Sequence, residues 1–316
     1  MAQAIFKNIS DLKKANRRYR LTIQDIDDDR KPIGSATVIE NPFTLKFSIN
    51  RSIFSEVNQG DFEIYNLAPE TYNRLFFDYY SINQQISEVN VGNPWNNRLV
   101  ILEAGYYGME MDTIFVGDMW SCYTERRGAN VITKIHSIVG LRAMAQNSDI
   151  TLQNATRNEV LSTLARDTGL KLKIYSGEDE KFSRPVVING NTVANIQKYS
   201  NGTAFIDNEE IKVLELNEAT EGNVPLINDE SGLLGVPKRE NGLLTVDMIF
   251  EPRIIVGQVI EIQSRVAPMF NGQYKVYGIK HEGTISDSVA GYVNTELQML
   301  VGSQLYGRFG IVKAQY

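Results

Sequence analysis

Two histidines and one cysteine are the side chains of this sequence best suited to binding zinc. His136 and His281 lie far apart, and neither has a histidine four residues away in a His-Glu-x-x-His frame. Cys122 is the only cysteine, so it cannot form an internal disulfide, and one cysteine is too few for a structural zinc site. Unless carboxylates complete a site, we predict two structural histidines and a small, buried strand cysteine. No metal and no cofactor are expected.

Nucleophilic catalysis would require a serine beside a histidine and a carboxylate. His281, Ser286 and Asp287 supply these residue types within one short stretch. They fall in a polar turn, however, and no nucleophile elbow surrounds the serine. We therefore predict that these residues do not form a catalytic triad, and we assign no catalytic residue.

Acidic residues suggest two further kinds of site. Paired carboxylates could hydrolyse a glycosidic bond, but in a chain with 38 acidic residues nothing marks a particular pair. The loop 25–34 has carboxylates at alternate positions, as a calcium loop does. Arg30 replaces the glycine of such a loop and Ala36 replaces its glutamate, so we predict a solvated hairpin loop. No glycine-rich phosphate-binding motif precedes a helix.

The elements around these residues are mostly strands. Apolar side chains alternate with polar ones along 43–51 and again along 61–67, the period of a half-buried strand. Similar patterns joined by short turns predict antiparallel strands for nearly all of 19–137. Pro69 suits the first turn of a helix, which we expect to run to about Asp78.

The character of the sequence changes near residue 150. Thr156 and Glu159 have the spacing of a capping box, and Gly169 stands where a helix ends in a left-handed residue. A strand, a second short helix and a hairpin complete a small α+β unit. We expect this unit to close on itself, with few side chains crossing its junctions. The next stretch, 217–231, has the Glu, Asn, Gly and Pro content of a linker.

The stretch 231–300 is predicted to be a four-stranded antiparallel unit that opens with a turn cluster at 232–238. The alternating pattern places its strands at 244–250, 257–264, 274–281 and 291–300. Glycines and prolines punctuate these strands, and we predict that they hold turns whose backbone angles other residues adopt only at a cost. These structural turn residues are Gly232, Gly235, Pro237, Pro252, Gly257 and Gly272.

The composition is that of a globular protein of 316 residues, 42% hydrophobic and 22% charged. No apolar run approaches the roughly 18 residues of a membrane span, and no secretory signal opens the chain, so we expect folding in the cytoplasm. The net charge of −6 argues against tight binding to a phosphate backbone, which Lys and Arg drive. The local basic pairs are predicted to be solvated: Lys13 with Lys14, Arg17 with Arg18, and Arg126 with Arg127.

An ordered set of sequence pieces carries a resemblance that no single piece would support. The C-terminal stretch contains, in order, GLLGVP, a strand, EP, GQVIEI, NGQYKVYGIKHEG and a strand with T-E-L. This set resembles the C-terminal tube-like domain of baseplate hub proteins from tailed bacteriophages. Nearer the N terminus, FEIYNL followed closely by PETYNRL is similar to the N-terminal tube-like domain of the same family. The resemblance covers roughly 18–300.

The resemblance and the element pattern together imply a mainly β fold with a small α+β insert and two tail-tube-like antiparallel β-barrel domains. A rough helical stripe of apolar residues at 5–15 predicts a helix before the first domain. The predicted division is an N-terminal helical extension at 1–18, a first tube-like domain at 19–150, the insert at 151–217, a linker at 218–231, a second tube-like domain at 232–304 and a C-terminal tail at 305–316.

The resemblance implies a structural, non-enzymatic protein of the virion tail baseplate. Hubs of this family are homotrimeric rings in which two tube-like domains per subunit give six similar units, so that a three-fold spike meets a six-fold tail tube. The implied partners are further copies of the chain, the tail tube protein, the central spike protein, other baseplate proteins and phage DNA in transit during ejection. An alternative of another class stays open: a tail-associated peptidoglycan-degrading enzyme or a carbohydrate-binding tail protein.

Overall fold

The computed structural model describes most of the chain. The described residues are 3–4, 16–27, 29–53, 58–78, 97–175, 179–215, 218–220, 222–240, 242–287 and 291–300. The helix predicted at 5–15 and the tail predicted at 305–316 lie outside these ranges.

Strands dominate the described residues. The first nine are β1 (Gln3–Ala4), β2 (Arg17–Ile26), β3 (Thr37–Glu40), β4 (Leu45–Ser52), β5 (Gln59–Tyr65), β6 (Phe77–Asp78), β7 (Asn97–Tyr106), β8 (Asp112–Arg127) and β9 (Asn130–Ile138). The middle of the chain adds β10 (Asn147–Leu152), β11 (Lys171–Ile174), β12 (Val186–Asn191), β13 (Ala204–Asp207) and β14 (Glu210–Val213). The last are β15 (Pro225–Asn228), β16 (Leu233–Glu240), β17 (Leu243–Ile249), β18 (Val259–Gln263), β19 (Gly272–Ile285) and β20 (Val293–Leu300).

Among the described residues, helices are few and short. They are α1 (Pro69–Leu75), α2 (Leu141–Met144), α3 (Arg157–Thr168) and α4 (Thr192–Tyr199), with a 3-10 helix at Pro268–Phe270. Strand makes up 55% of the structure and helix 13%, which confirms the mainly β fold class. Among the described residues, no helix combines the length and apolar character needed to cross a membrane.

The local sequence explains most of these elements. In β4, Leu45, Phe47 and Ile49 are buried and the residues between them face outward, as the alternating pattern predicts. Helix α3 begins at the predicted capping box, with both reciprocal hydrogen bonds between Thr156 and Glu159 formed.

Helix α1 begins at Pro69 as predicted but ends at Leu75, short of the expected Asp78. Phe77 and Asp78 instead form β6 and pair with β8. Phe77 is buried in the core, and this tertiary pairing overrides the local helical tendency.

Most strands belong to one 15-stranded sheet. Its longest path runs β1-β15-β18-β19-β4-β5-β9-β8-β7-β2-β3, and a branch runs from β19 through β20 and β17 to β16. Two small sheets, β10-β12 and β11-β14-β13, lie between the two strand-rich parts of the chain. We call β2 to β9 the N-terminal half and β15 to β20 the C-terminal half.

Strand β19 joins the two halves. One of its edges pairs with β20. Its other edge pairs with β18 over 272–275 and then with β4 over 278–285. All these pairings are antiparallel, so the two halves share one hydrogen-bonded sheet.

Three hydrophobic cores lie against this framework. The first core fills the N-terminal half, where the rings of Phe62 and Phe115 meet edge to face at 5.5 Å. It also takes in Phe250, Ile285 and Val293 from the C-terminal half. The second core is built mainly from β17 to β20, and the third lies between α3, α4 and the small sheets.

The C-terminal half differs from its prediction in two places. The stretch 218–231 has a linker-like composition, but it contains β15, which pairs in parallel with β18 and buries Ile227 in the second core. The turn cluster predicted at 232–238 is largely strand β16, with an irregular register between Leu234 and Lys238. The four strands predicted in 231–300 are confirmed as β17 to β20. The domain boundaries themselves stay a prediction.

Candidate functional site

His281 lies in the interior of the protein. Its side chain is fully buried, and Nδ1 lies 2.9 Å from Oγ1 of Thr295. Burial, with a smaller contribution from the Arg51 charge, lowers the pKa of His281 to about 3. The ring is therefore neutral and packs edge to face against Phe250 at 5.6 Å.

The residue types of a catalytic triad are not brought together. Ser286 Oγ lies 2.7 Å from Oγ1 of Thr44, and Asp287 accepts a hydrogen bond from the Asn41 amide. Nε2 of His281 has no hydrogen-bond partner among the described residues. Neither Ser286 nor Asp287 is therefore connected to the imidazole.

The structure also shows the surroundings of the cysteine, the second histidine and the acidic loop. Cys122 is free and buried in the first core, where burial raises its pKa to about 12, so the prediction of a buried strand cysteine is confirmed. His136 is partly exposed to solvent, and its Nδ1 lies 2.7 Å from Oδ1 of Asp61. In the loop 25–34, Asp25 accepts from Arg98 at 2.7 Å. Within the described ranges, no three His, Cys, Asp or Glu side chains are grouped to hold a metal.

The predicted turn glycines adopt left-handed backbone angles: φ is 106° at Gly232, 69° at Gly235, 90° at Gly257 and 148° at Gly272. Pro252 follows the end of β17, whereas Pro237 lies inside β16. The functional importance of this set stays a prediction.

The feature that spans both halves is one face of the main sheet, which we call the polar face. It consists of the outward side chains of eight consecutive strands, β8-β9-β5-β4-β19-β20-β17-β16. The strand registers place Asp61 opposite Ser48, and Ser48 opposite Glu282, across the junction of the halves. Its charged members are Lys46, Asp61, Glu63, Glu125, Arg127, Lys134, Lys238, Glu240, Asp247, Lys280, Glu282 and Glu296.

Each lysine of the polar face lies close to a carboxylate. The nitrogen-to-oxygen distances are 3.4 Å for Lys46 with Glu63, 2.9 Å for Lys134 with Glu125, 4.0 Å for Lys238 with Asp247 and 2.6 Å for Lys280 with Glu282. Such exposed pairs contribute little to the stability of a fold. Their larger effect is on the field of the surface, because a paired lysine attracts a distant anion weakly.

The opposite face of the same eight strands is buried, except at the two end strands, where Arg126 and Arg239 are exposed. Phe47 and Phe62 of the N-terminal half enter the first core, and Val246 and Leu297 of the C-terminal half enter the second. Apart from these ends, the sheet presents the polar face to solvent or to a charged partner.

With this geometry in place, comparison with known families is decisive. The family model described as "Baseplate hub gp41" matches residues 21–291, most of the chain. The chain belongs to this baseplate hub family. No curated protein sequence matches it significantly.

Solved structures share the hub fold. A tail protein from Neisseria meningitidis MC58 superposes with a TM-score of 0.58 at 8% identity, over 91% of this chain and 98% of that one. The 43 kDa tail protein of prophage MuSo2 from Shewanella oneidensis gives 0.54 at 6% identity, over 89% and 98%. The Escherichia coli c3393 protein, a type VI secretion component, gives 0.52 at 10% identity, over 84% and 76%. The hub family and this shared fold assign the chain a structural role in a phage tail baseplate.

The hub-family chain also contains a buried charge cluster that joins the insert to the sheet. Asp207, at the end of β13, is fully buried and accepts hydrogen bonds from Arg51 Nε at 2.7 Å and from Lys212 Nζ at 2.8 Å. Burial opposes ionisation of Asp207, but Arg51 and Lys212 outweigh it and hold its pKa well below the usual range.

The hairpin turn after Asp207 makes further contacts with the N-terminal half. Asn208 Oδ1 accepts from the Val116 amide at 3.0 Å, and Glu209 forms an ion pair with Arg30. The expectation that few side chains cross the junctions of the insert is therefore wrong. One local signal was available: Arg51 occupies the buried parity of β4, where the alternation calls for an apolar residue.

Proposed function

We propose that this protein forms a trimeric ring that adapts a six-fold tail tube to a three-fold spike and lines part of the DNA ejection channel. The observation that carries the proposal is the polar face, which continues through the β4–β19 pairing from one half to the other. Two strand-rich halves in each of three copies would supply six units around the ring. A head-to-tail interface of this kind forms a closed ring when its rotation closes.

The polar face is the part of the sheet suited to a channel wall. A channel that passes DNA has to be filled with water, and the other face of these strands is buried by the two cores. DNA is retained by unpaired Lys and Arg, which release counterions from the phosphates. The lysines of this face are all held by carboxylates, and Asp61 and Glu296 add negative charge. Such a wall favours passage over binding.

The partners follow from the ring. They are two further copies of the chain, the tail tube protein on one side, the central spike protein on the other, and neighbouring baseplate proteins around it. DNA is in contact only transiently. The protein is made and assembled in the host cytoplasm and ends in the tail of the virion. It acts mechanically and carries out no reaction.

Coexpression with the tube and spike proteins tests this function. The mass of the purified complex is expected to correspond to three copies of the chain, and the complex is expected to release no soluble fragments from peptidoglycan. A chain that stays monomeric beside both partners, or that degrades peptidoglycan, would point to a tail-associated enzyme and contradict the hub function.

A further inference from the structure

The hairpin loop between β18 and β19, residues 264–271, carries the two most exposed large apolar side chains of the described residues. Met269 is 80% exposed and Val266 is 70% exposed. Single exposed apolar residues are common on protein surfaces, but two that lie close together on one loop form a patch. Their position therefore indicates a surface that contacts another segment.

Hydrogen bonds hold this loop in one conformation. The Ser264 amide donates to Oδ1 of Asn271 at 2.7 Å, and the Ala267 amide donates to Oγ of Ser264 at 3.1 Å. The hydroxyl of Tyr274 donates to the carbonyl oxygen of Phe270 at 2.9 Å. A surface that is ordered before it binds loses little conformational entropy on binding. The loop is therefore well suited to docking.

An acidic cleft with a volume of about 720 Å³ lies beside the loop, between the turn after β15 and the end of β18. Its described lining residues include three carboxylates, those of Asp229, Glu230 and Glu261, and one cation, Arg265. Arg265 lies 3.6 Å from the carboxylate of Asp229 and 3.3 Å from that of Glu230. One guanidinium cannot neutralise three carboxylates, so the cleft attracts further positive charge.

The sequence that follows β20 has the complementary chemistry. Residues 301–316, which we call the C-terminal segment, read VGSQLYGRFGIVKAQY. Arg308 and Lys313 are its charged side chains, and it contains no acidic residue. Leu305 and Phe309 are among its apolar side chains. A segment with two cations and several apolar side chains complements an acidic cleft beside an apolar patch.

The direction of β20 leads the chain towards this cleft. Strand β20 is antiparallel to β19, so Val293 lies opposite Gly283 and Met299 lies opposite Val276. The chain therefore leaves β20 in the direction of the start of β19, where Gly272 lines the cleft. The strand from Val276 to Gly272 covers about 13 Å. The C-terminal segment spans up to about 50 Å when extended, so it can reach the cleft of its own chain.

We propose that the C-terminal segment docks in the acidic cleft of its own chain and covers the loop 264–271. Arg308 and Lys313 then face the carboxylates of the cleft, and the apolar side chains of the segment cover Val266 and Met269. This docking does not depend on the trimeric ring, so the failure of either proposal leaves the other standing.

A fluorescent reporter at position 269 tests the docking. The variant Met269→Cys takes one environment-sensitive label, because the only other cysteine, Cys122, is buried. The label is expected to emit at a shorter wavelength in the full chain than in a chain that ends at Leu300, because the C-terminal segment shields it from water. A label on Val187→Cys, an exposed position in β12, is the control and is expected to emit alike in both chains.

Charge reversal tests the recognition without removing the segment. Glu230→Lys/Glu261→Lys and, separately, Arg308→Glu/Lys313→Glu are each expected to give the emission of the shortened chain, because like charges then meet. The chain with all four substitutions has opposite charges again and is expected to recover the shorter wavelength. The peptide 301–316, added to the shortened chain, is expected to produce the same recovery.

Three results would overturn the proposal. Equal emission from the full and the shortened chain would show that the segment does not cover the loop. An emission shift that grows with protein concentration would assign the segment to the cleft of a second copy. A shift that appears only on coexpression with the tube or spike protein would assign the cleft to that protein.

Discussion

The carboxylate of Asp207 is fully buried and binds two cationic side chains. Arg51 and Lys212 both donate to it, and the exposed fraction of its side chain is 0%. The variant Asp207→Asn would leave Arg51 without a countercharge and Lys212 with only Glu210, 3.9 Å away. Removing one member of a buried ion pair costs about 3–5 kcal/mol, and we expect a loss of this size in chemical denaturation.

An exposed pair provides the control. Asp229 lies 3.6 Å from Arg265, with 40% of its side chain and 77% of the arginine side chain exposed. The variant Asp229→Asn is expected to cost less than about 1 kcal/mol. Equal losses in the two variants would show that the Asp207 cluster does not fasten the insert to the sheet.

Glu209 makes the stability depend on pH. Burial raises its pKa to about 7, a change that Arg30 opposes and Asp118 reinforces. The folded state therefore holds the proton more tightly than the unfolded chain, whose glutamate pKa is about 4.3. The stabilisation is complete below the unfolded pKa and is lost as the pH rises towards 7, by up to about 3 kcal/mol.

Chemical denaturation between pH 4.5 and pH 8 measures this effect. Wild-type stability is expected to fall over this range more steeply than that of Glu209→Gln, which has no carboxyl group to titrate. Parallel pH profiles for the two proteins would show that Glu209 is not the group responsible.

The burial of a single residue could be predicted from the sequence where it depends only on the strand that contains the residue. Alternation along a strand fits the burial of Cys122. The alternation could not predict that Arg51 pairs with Asp207. The docking of the insert brings these two residues together, and no local spacing in the sequence encodes that docking.

At the scale of elements, the turn at Gly257 links β18 to the core around Leu214. Its φ is 90°, and a Cβ atom added there would lie 2.7 Å from Cδ2 of Leu214. The variant Gly257→Val therefore combines backbone strain of about 1–3 kcal/mol with overpacking of similar size. A marked fall in Tm is the expected result.

Gly235 separates the two contributions. It also has a left-handed φ, 69°, but nothing lies within 4 Å of an added Cβ atom. The variant Gly235→Val is expected to show the strain alone and to lose less stability than Gly257→Val. The reverse order would contradict the packing described around Gly257.

The strands and helices themselves were largely predictable from the sequence, but the pairing of the strands was not. Alternation and the capping box located β4 and α3 because both depend on neighbours in sequence. The pairing of β4 with β19 joins residues 45–52 to 278–285, and its register follows from tertiary packing. Strand β15 was missed because its composition is that of a linker and only Ile227 is buried.

At the scale of the whole molecule, the polar face gives both halves a common orientation. A sheet that is continuous from β8 to β16 cannot turn the face of one half towards a lumen without turning the other. The proposed ring therefore requires that both halves of each copy line the channel. Because the lysines of the polar face are paired with carboxylates, the passing DNA would then meet a channel wall that is nearly neutral to acidic.

An end-on reconstruction of the hub in assembled tail particles tests this account most directly. The account predicts three copies in a ring of six strand-rich units, with Lys46, Glu63 and Glu282 on the inner surface. One copy per tail, or a ring whose inner surface is lined by unpaired Lys and Arg, would contradict it.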